Sequence, residues 1–110
     1  MGKEKGSKKE RRHYPRLQSL YLVSYINKEG EVQKSGVSMA RTIDISPAGA
    51  GVEVYQLVEV DSRIEMEIGV KERIVAVEGK VVHSQAQPNG HWIIGIEFDH
   101  VQEELVEEFF

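Results

Sequence analysis

Two short runs of this sequence hold the residue types best suited to chemistry. One is Arg11-Arg12-His13-Tyr14-Pro15-Arg16, and the other is Asp44-Ile45-Ser46-Pro47-Ala48-Gly49-Ala50-Gly51. An arginine fork pairs with phosphate, meets guanine O6 and N7 through two bonds, and stacks on base faces. A carboxylate accepts hydrogen bonds from the donor edge of guanine, its ring N–H and exocyclic amine. A hydroxyl beside glycine-rich backbone suits close approach to a phosphate or ribose. Taken singly, the first run is a solvated basic stretch. The second, taken singly, is a turn: Asp or Ser opens it, Pro sets φ, and Gly supplies positive φ. Together they match one ligand, a guanine nucleotide with exposed phosphates. The second run joins two strands and is therefore rigid. Asp44 and Ser46 project to one side of it, and Ile45 turns inward.

Other chemistries find no support. His13, His83, His91 and His100 are scattered, and none stands four residues from another on a helix. His83 and His91 flank a hairpin and read as surface strand-end histidines able to meet across it. Asp44 and Ser46 lack a partner histidine for a nucleophile triad. There is neither a phosphate-binding P-loop nor a dinucleotide fingerprint. The chain reads as a non-enzyme with no cofactor and no metal.

The elements that position these runs follow from length and pattern. One hundred and ten residues make one domain with one core. The absence of cysteine excludes a disulfide framework and a thiolate zinc site, and fits a reducing, cytoplasmic setting. No apolar run reaches bilayer length, and no apolar stretch follows the first positive charges as a secretory signal requires. Residues 1–16 carry seven Lys/Arg against two Glu, a net charge of +5, while residues 17–110 carry seven against sixteen, a net charge of -9. An acidic body behind a basic arm argues against binding along DNA or RNA, yet lets the arm capture a small anion. Residues 1–10 hold no apolar residue except Met1 and read as a disordered arm; residues 11–110 form the domain.

Strand patterns fill most of that domain, over 17–27, 32–45, 51–58, 63–70, 74–85 and 92–98. The clearest is Arg63–Val70, where Ile64, Met66, Ile68 and Val70 alternate with Arg63, Glu65 and Glu67. Pro88-Asn89-Gly90 marks a hairpin. Asp99, with Gln102 three residues on, predicts a capped helix whose Val101, Leu105 and Phe109 share a face. The fold class is all-β: a six-stranded antiparallel barrel with a C-terminal helix plugging or flanking it.

With this order of elements the sequence resembles the PilZ domain family. Arg12-His13-Tyr14-Pro15-Arg16 is similar to its RxxxR motif, Asp44-Ile45-Ser46-Pro47-Ala48-Gly49 to its [D/N]xSxxG motif, and Gly95-Ile96-Glu97-Phe98 to its closing strand. The resemblance implies a bacterial receptor for the second messenger cyclic di-GMP. It implies that Arg12 and Arg16 hold guanine and phosphate, that Asp44 and Ser46 hydrogen-bond the ligand, and that Gly49 shapes the loop. Trp92 matches a position where some members place an apolar side chain near the ligand. In PilZ-like proteins a bulky apolar residue just before the first motif arginine suits one ligand molecule and an arginine suits an intercalated pair. Arg11 therefore implies two per chain. Output would pass in trans to a downstream protein that the sequence does not identify. Two alternatives compete: an adaptor barrel that binds no nucleotide, and a single-stranded nucleic-acid binder. The intact motif set argues against the first, and the acidic body against the second.

Overall fold

The computed structural model describes residues 17–18, 21–29, 32–33 and 37–109. Eight strands, β1 (Leu17–Gln18), β2 (Leu22–Glu29), β3 (Val32–Gln33), β4 (Ser38–Ser46), β5 (Gly49–Val54), β6 (Arg63–Val70), β7 (Arg73–Ala86) and β8 (Trp92–Phe98), precede one helix, α1 (Glu103–Phe109). Hydrogen-bonded neighbours run β1-β4-β5-β8-β7-β6-β2-β3, and a further β4–β2 pairing closes the six longer strands into an antiparallel barrel. The all-β class and the barrel with a C-terminal helix are as the sequence implies.

Alternation builds the core. Ile64, Met66, Ile68 and Val70 of β6 are buried, as are Val75, Val77 and Val81 of β7 and Ile94, Ile96 and Phe98 of β8. Closure lets every one of these strands present one face inward without leaving a free edge. Lys71-Glu72 makes a two-residue turn with Lys71 at φ 57°, and Gly90 closes the β7–β8 hairpin at φ 89°. The Asn-Gly signal is thus used as predicted, with Asn89 Oδ1 accepting a bond from His91 N at 2.9 Å.

Several boundaries differ. The second predicted strand is represented by two separate pieces, β3 and β4, and the third by β5, which begins two residues early and stops at Val54. Val58 is buried in the core without being in a strand. Asp99 does not cap the helix. Its carboxylate instead takes a two-bond contact from Arg63, at 3.0 and 2.5 Å, which raises the Arg63 pKa. Gln102 starts the helix in its place: its carbonyl accepts from Leu105 N and Val106 N. Val101 therefore precedes the helix, and Leu105 is fully buried in the core.

Candidate functional site

The Asp44–Gly51 run is a hairpin rather than a loop. Ser46 pairs with Gly49 across Pro47-Ala48, and Ile45 pairs with Ala50. Ser46 is buried; its Oγ accepts from Ala48 N at 3.2 Å and donates to the Gly49 carbonyl at 3.4 Å. The hairpin tip is tied down from outside as well. Phe98 N donates to the Ala48 carbonyl at 2.9 Å, and Gln102 N to the Pro47 carbonyl at 2.8 Å. The rigidity read from the sequence thus has a concrete cause: the tip is bonded to the end of β8 and the start of α1.

Gly49 is a strand residue with a packing role. A Cβ there would fall 2.5 Å from the Ile96 carbonyl oxygen, which is backbone and does not yield easily. Gly49→Ala is expected to destabilise the fold by about 1–3 kcal/mol through overpacking, read as a lower urea midpoint. Gly95→Ala should cost less, because the atoms met there belong to the His83 side chain, which can rotate away.

Asp44 owes its direction to a β-bulge. Thr42 pairs with Val52 but Asp44 pairs with Gly51, so Ile43 is the extra residue. Arg41 and Ile45 would share a face in a regular strand. Here Arg41 is exposed and Ile45 is in the core. The bulge turns Asp44 to the outside, where its Oδ1 accepts from Gly51 N at 3.1 Å. A second bulge does the same on β7: Val81 pairs with Ile96 and His83 with Gly95, leaving Val82 extra. The His83 ring lies over Gly95, so that a Cβ on Gly95 would fall 2.1 Å from its Nε2.

Register joins these residues into one row across the outer face. Gln18 pairs with Asp44, Asp44 with Gly51, Gly51 with Gly95, and Gly95 with His83. Neither glycine is open to solvent: the Asp44 carboxylate leans over Gly51, 3.2 Å from where a Cβ would stand, and the His83 imidazole covers Gly95. The backbones of Asp44 and His83 are three strand spacings apart, about 14 Å measured along the sheet, and both side chains lean inward over the glycines between them. β1 directly follows Arg16 in the chain, and its pairing to Ile45 and Asp44 joins that segment to this row. Arg11, Arg12 and Arg16 themselves, and the arm at 1–10, lie outside the described residues.

Sequence reasoning missed His83, which is a mid-strand residue and does not meet His91. The signal available was Gly95 in the facing strand, where a missing side chain leaves room for a ring. Trp92 is placed elsewhere: it is in phase with Ile94 and Ile96 and packs half-buried against the core, not on the Asp44 side.

Beside the row stands a tightly paired carboxylate. Glu53 Oε1 accepts from Arg41 Nε at 2.9 Å and lies 2.7 Å from Arg41 Nη2, while Oε2 is 2.7 Å from His91 Nδ1 and 3.4 Å from Asn89 Nδ2. The bonds from His91 and then Arg41 pull the Glu53 pKa down to about 2 against the opposing effect of burial. Arg41, with its side chain half-exposed, is held by this carboxylate next to Asp44 on β4. Because the folded pKa lies below the unfolded one, the unfolded chain protonates first. The stabilisation is complete above about pH 4.5 and is lost as pH falls towards 2. Glu53→Gln is expected to flatten the stability profile across that window, measured by urea unfolding at a series of pH values. Among the described residues no group of three or more His, Cys, Asp or Glu is placed to hold a metal ion.

The PilZ domain family model matches residues 10–110. No curated protein matches the chain as a relative in sequence. Among solved structures, the Bacillus subtilis inhibitor of motility (MotI/DgrA) superposes with a TM-score of 0.71 at 16% identity, over 86% of this chain and 47% of that one. The chain thus spans about half the length of that protein. The PilZ domain of YcgR from Escherichia coli, solved with c-di-GMP, superposes with a TM-score of 0.60 at 13% identity, over 89% of this chain and 85% of that one. At these identities the likeness is one of fold.

Proposed function

Since the chain belongs to the PilZ family, we propose that it is a non-enzymatic receptor for cyclic di-GMP that signals to a partner protein in trans. The observation that carries the reading is the row Asp44–Gly51–Gly95–His83, flanked by β1 and thus by the segment that follows Arg16. Guanine meets this row from outside, with its donor edge towards Asp44 and the His83 ring at the row's other end. Arg12 and Arg16 close over it and pair with the phosphates. Ser46 and Gly49 serve the site indirectly, by fixing the hairpin that presents Asp44. Trp92 takes no part. The family's solved c-di-GMP complex supports the choice of ligand. A cytoplasmic location, where such a messenger is made and read, is part of the same proposal; no helix among the described residues is long and apolar enough to cross a membrane.

One titration tests this. Cyclic di-GMP is expected to bind and to outcompete GTP, cyclic di-AMP and a short oligonucleotide. With the protein well above the dissociation constant, the equivalence point is expected at two ligands per chain, because Arg11 offsets the repulsion of four crowded phosphates and covers an exposed guanine face. An equivalence point at one rules out the pair. No binding of any nucleotide returns the chain to the adaptor reading.

A further inference from the structure

We propose that the outer face of the start of β4, β2, β6 and the first half of β7 is a docking surface for a cationic amphipathic helix of a partner protein. The inference stands apart from the nucleotide reading. On this face Leu22 is 70% exposed, Ile74 69%, Val37 63% and Met39 55%. They are neighbours by register. Met39 pairs with Ser24, Ser24 with Glu67, and Glu67 with Ala76, while Leu22 pairs with Arg41 and Ile74 with the exposed Gly69. Single exposed aliphatics are ordinary on a protein surface, but a contiguous set of large ones marks an interaction site. A cavity of about 460 Å³ opens beside them on the same face, lined by Val37 of this set and by Ser24, Glu67, Ala76 and Glu78.

Charge decides what fits. Glu65 on this face is paired with Lys28 at 2.7 Å, and the Arg63 fork is committed to Asp99. Glu67 makes no ion pair with any described residue, and Glu78 none beyond the attraction it shares with Arg63. Among the described residues the groove thus joins aliphatic surface to negative charge that no ion pair offsets, and its complement carries aliphatic side chains among Lys or Arg. The barrel of a second copy is disfavoured, since residues 17–110 carry a net charge of -9 and would repel their like. Backbone geometry narrows the partner further. These strands are paired on both sides within the closed barrel, so a guest strand has no edge to join and contact must be made through side chains. From β4 to β7 the face is three strand spacings wide, about 14 Å, which is the rise of roughly nine helical residues.

The test uses the whole chain and a synthetic 14-residue helix of Leu and Lys at helical spacing, beside the same design with Glu for Lys. The Leu/Lys peptide is expected to shift the amide resonances of Ser24, Glu67 and Ala76, with affinity that falls as salt rises. Glu67→Lys with Glu78→Lys, and separately Leu22→Ser with Ile74→Ser, should each weaken it at least ten-fold while the fold is retained by near-UV circular dichroism. The first pair sits on the wet side of its strands and keeps the test valid even if the second pair perturbs folding. Equal binding of the Leu/Glu peptide, or shifts centred on another face, overturns the proposal. So does a peptide-free dimer in sedimentation that Leu22→Ser and Ile74→Ser dissolve, which would assign the face to a second copy. Carbodiimide cross-links from Lys8 or Lys9 to Glu67 within one chain would assign it to the basic segment of this chain, and equally refute a partner helix.

Discussion

Asp44→Ala is expected to lower cyclic di-GMP affinity more than ten-fold and to abolish the preference over cyclic di-AMP. Hydrogen bonds to a charged group contribute about 1.5–3 kcal/mol each, and guanine offers two adjacent donors, ring N–H and exocyclic amine, to one carboxylate. Adenine presents no such pair, so the loss falls on selectivity as well as affinity. A confounding effect is visible in the structure: Asp44 also accepts from Gly51 N, and alanine leaves that donor unpaired. Asp44→Asn separates the two roles. Its amide oxygen still accepts from Gly51 N, but its NH₂ faces the guanine donors with a donor of its own. The asparagine variant is expected to melt like wild type and yet lose the preference for guanine. If both variants keep the wild-type ratio of cyclic di-GMP to cyclic di-AMP affinity in competition titrations, Asp44 is a brace for the hairpin and no part of the ligand site.

What was legible in the sequence divides along physical lines. β6 was readable because alternation of Ile64, Met66, Ile68 and Val70 with polar residues has one interpretation on a half-buried strand. Asn89-Gly90 was readable because few residue pairs tolerate that turn. The bulges at Ile43 and Val82 were not. A bulge adds one residue to one strand and leaves no mark in composition; it is seen only when the partner strand fixes the register. Those two bulges set the directions of Asp44 and His83, so the motif could be found without the row it belongs to. Gly49 was open to the same error. A glycine between strands suggests loop conformation, whereas Gly49 is a strand residue that serves close approach to the Ile96 carbonyl. Asp99 failed for a different reason. It is a good helix cap locally, but Arg63, thirty-six residues away, offers two charged bonds where the cap offers one.

Arg12→Ala and Arg16→Ala are each expected to weaken cyclic di-GMP binding more than ten-fold without harming the fold. Both precede β1, the first of the strands that build the barrel. The loss is that of a charged two-bond contact to phosphate or to the guanine O6/N7 edge, about 1.5–3 kcal/mol. A lysine at either position tells charge from shape. Arg16→Lys keeps the positive charge and the long-range attraction to two phosphates, but gives up the planar fork and the stacking face. It is expected to recover only part of the affinity lost in Arg16→Ala, and that part should be the more sensitive to salt, since point-charge attraction in solvent is screened over about 8–10 Å at ordinary ionic strength. Calorimetry at two salt concentrations reads both quantities. Lysine variants that bind as tightly as wild type would reduce the pair to a general basic patch. Alanine variants that stay folded and bind as tightly as wild type would remove the arginines from the site, leaving Asp44 and its glycine strip without the groups that make them a receptor for a doubly phosphorylated ligand.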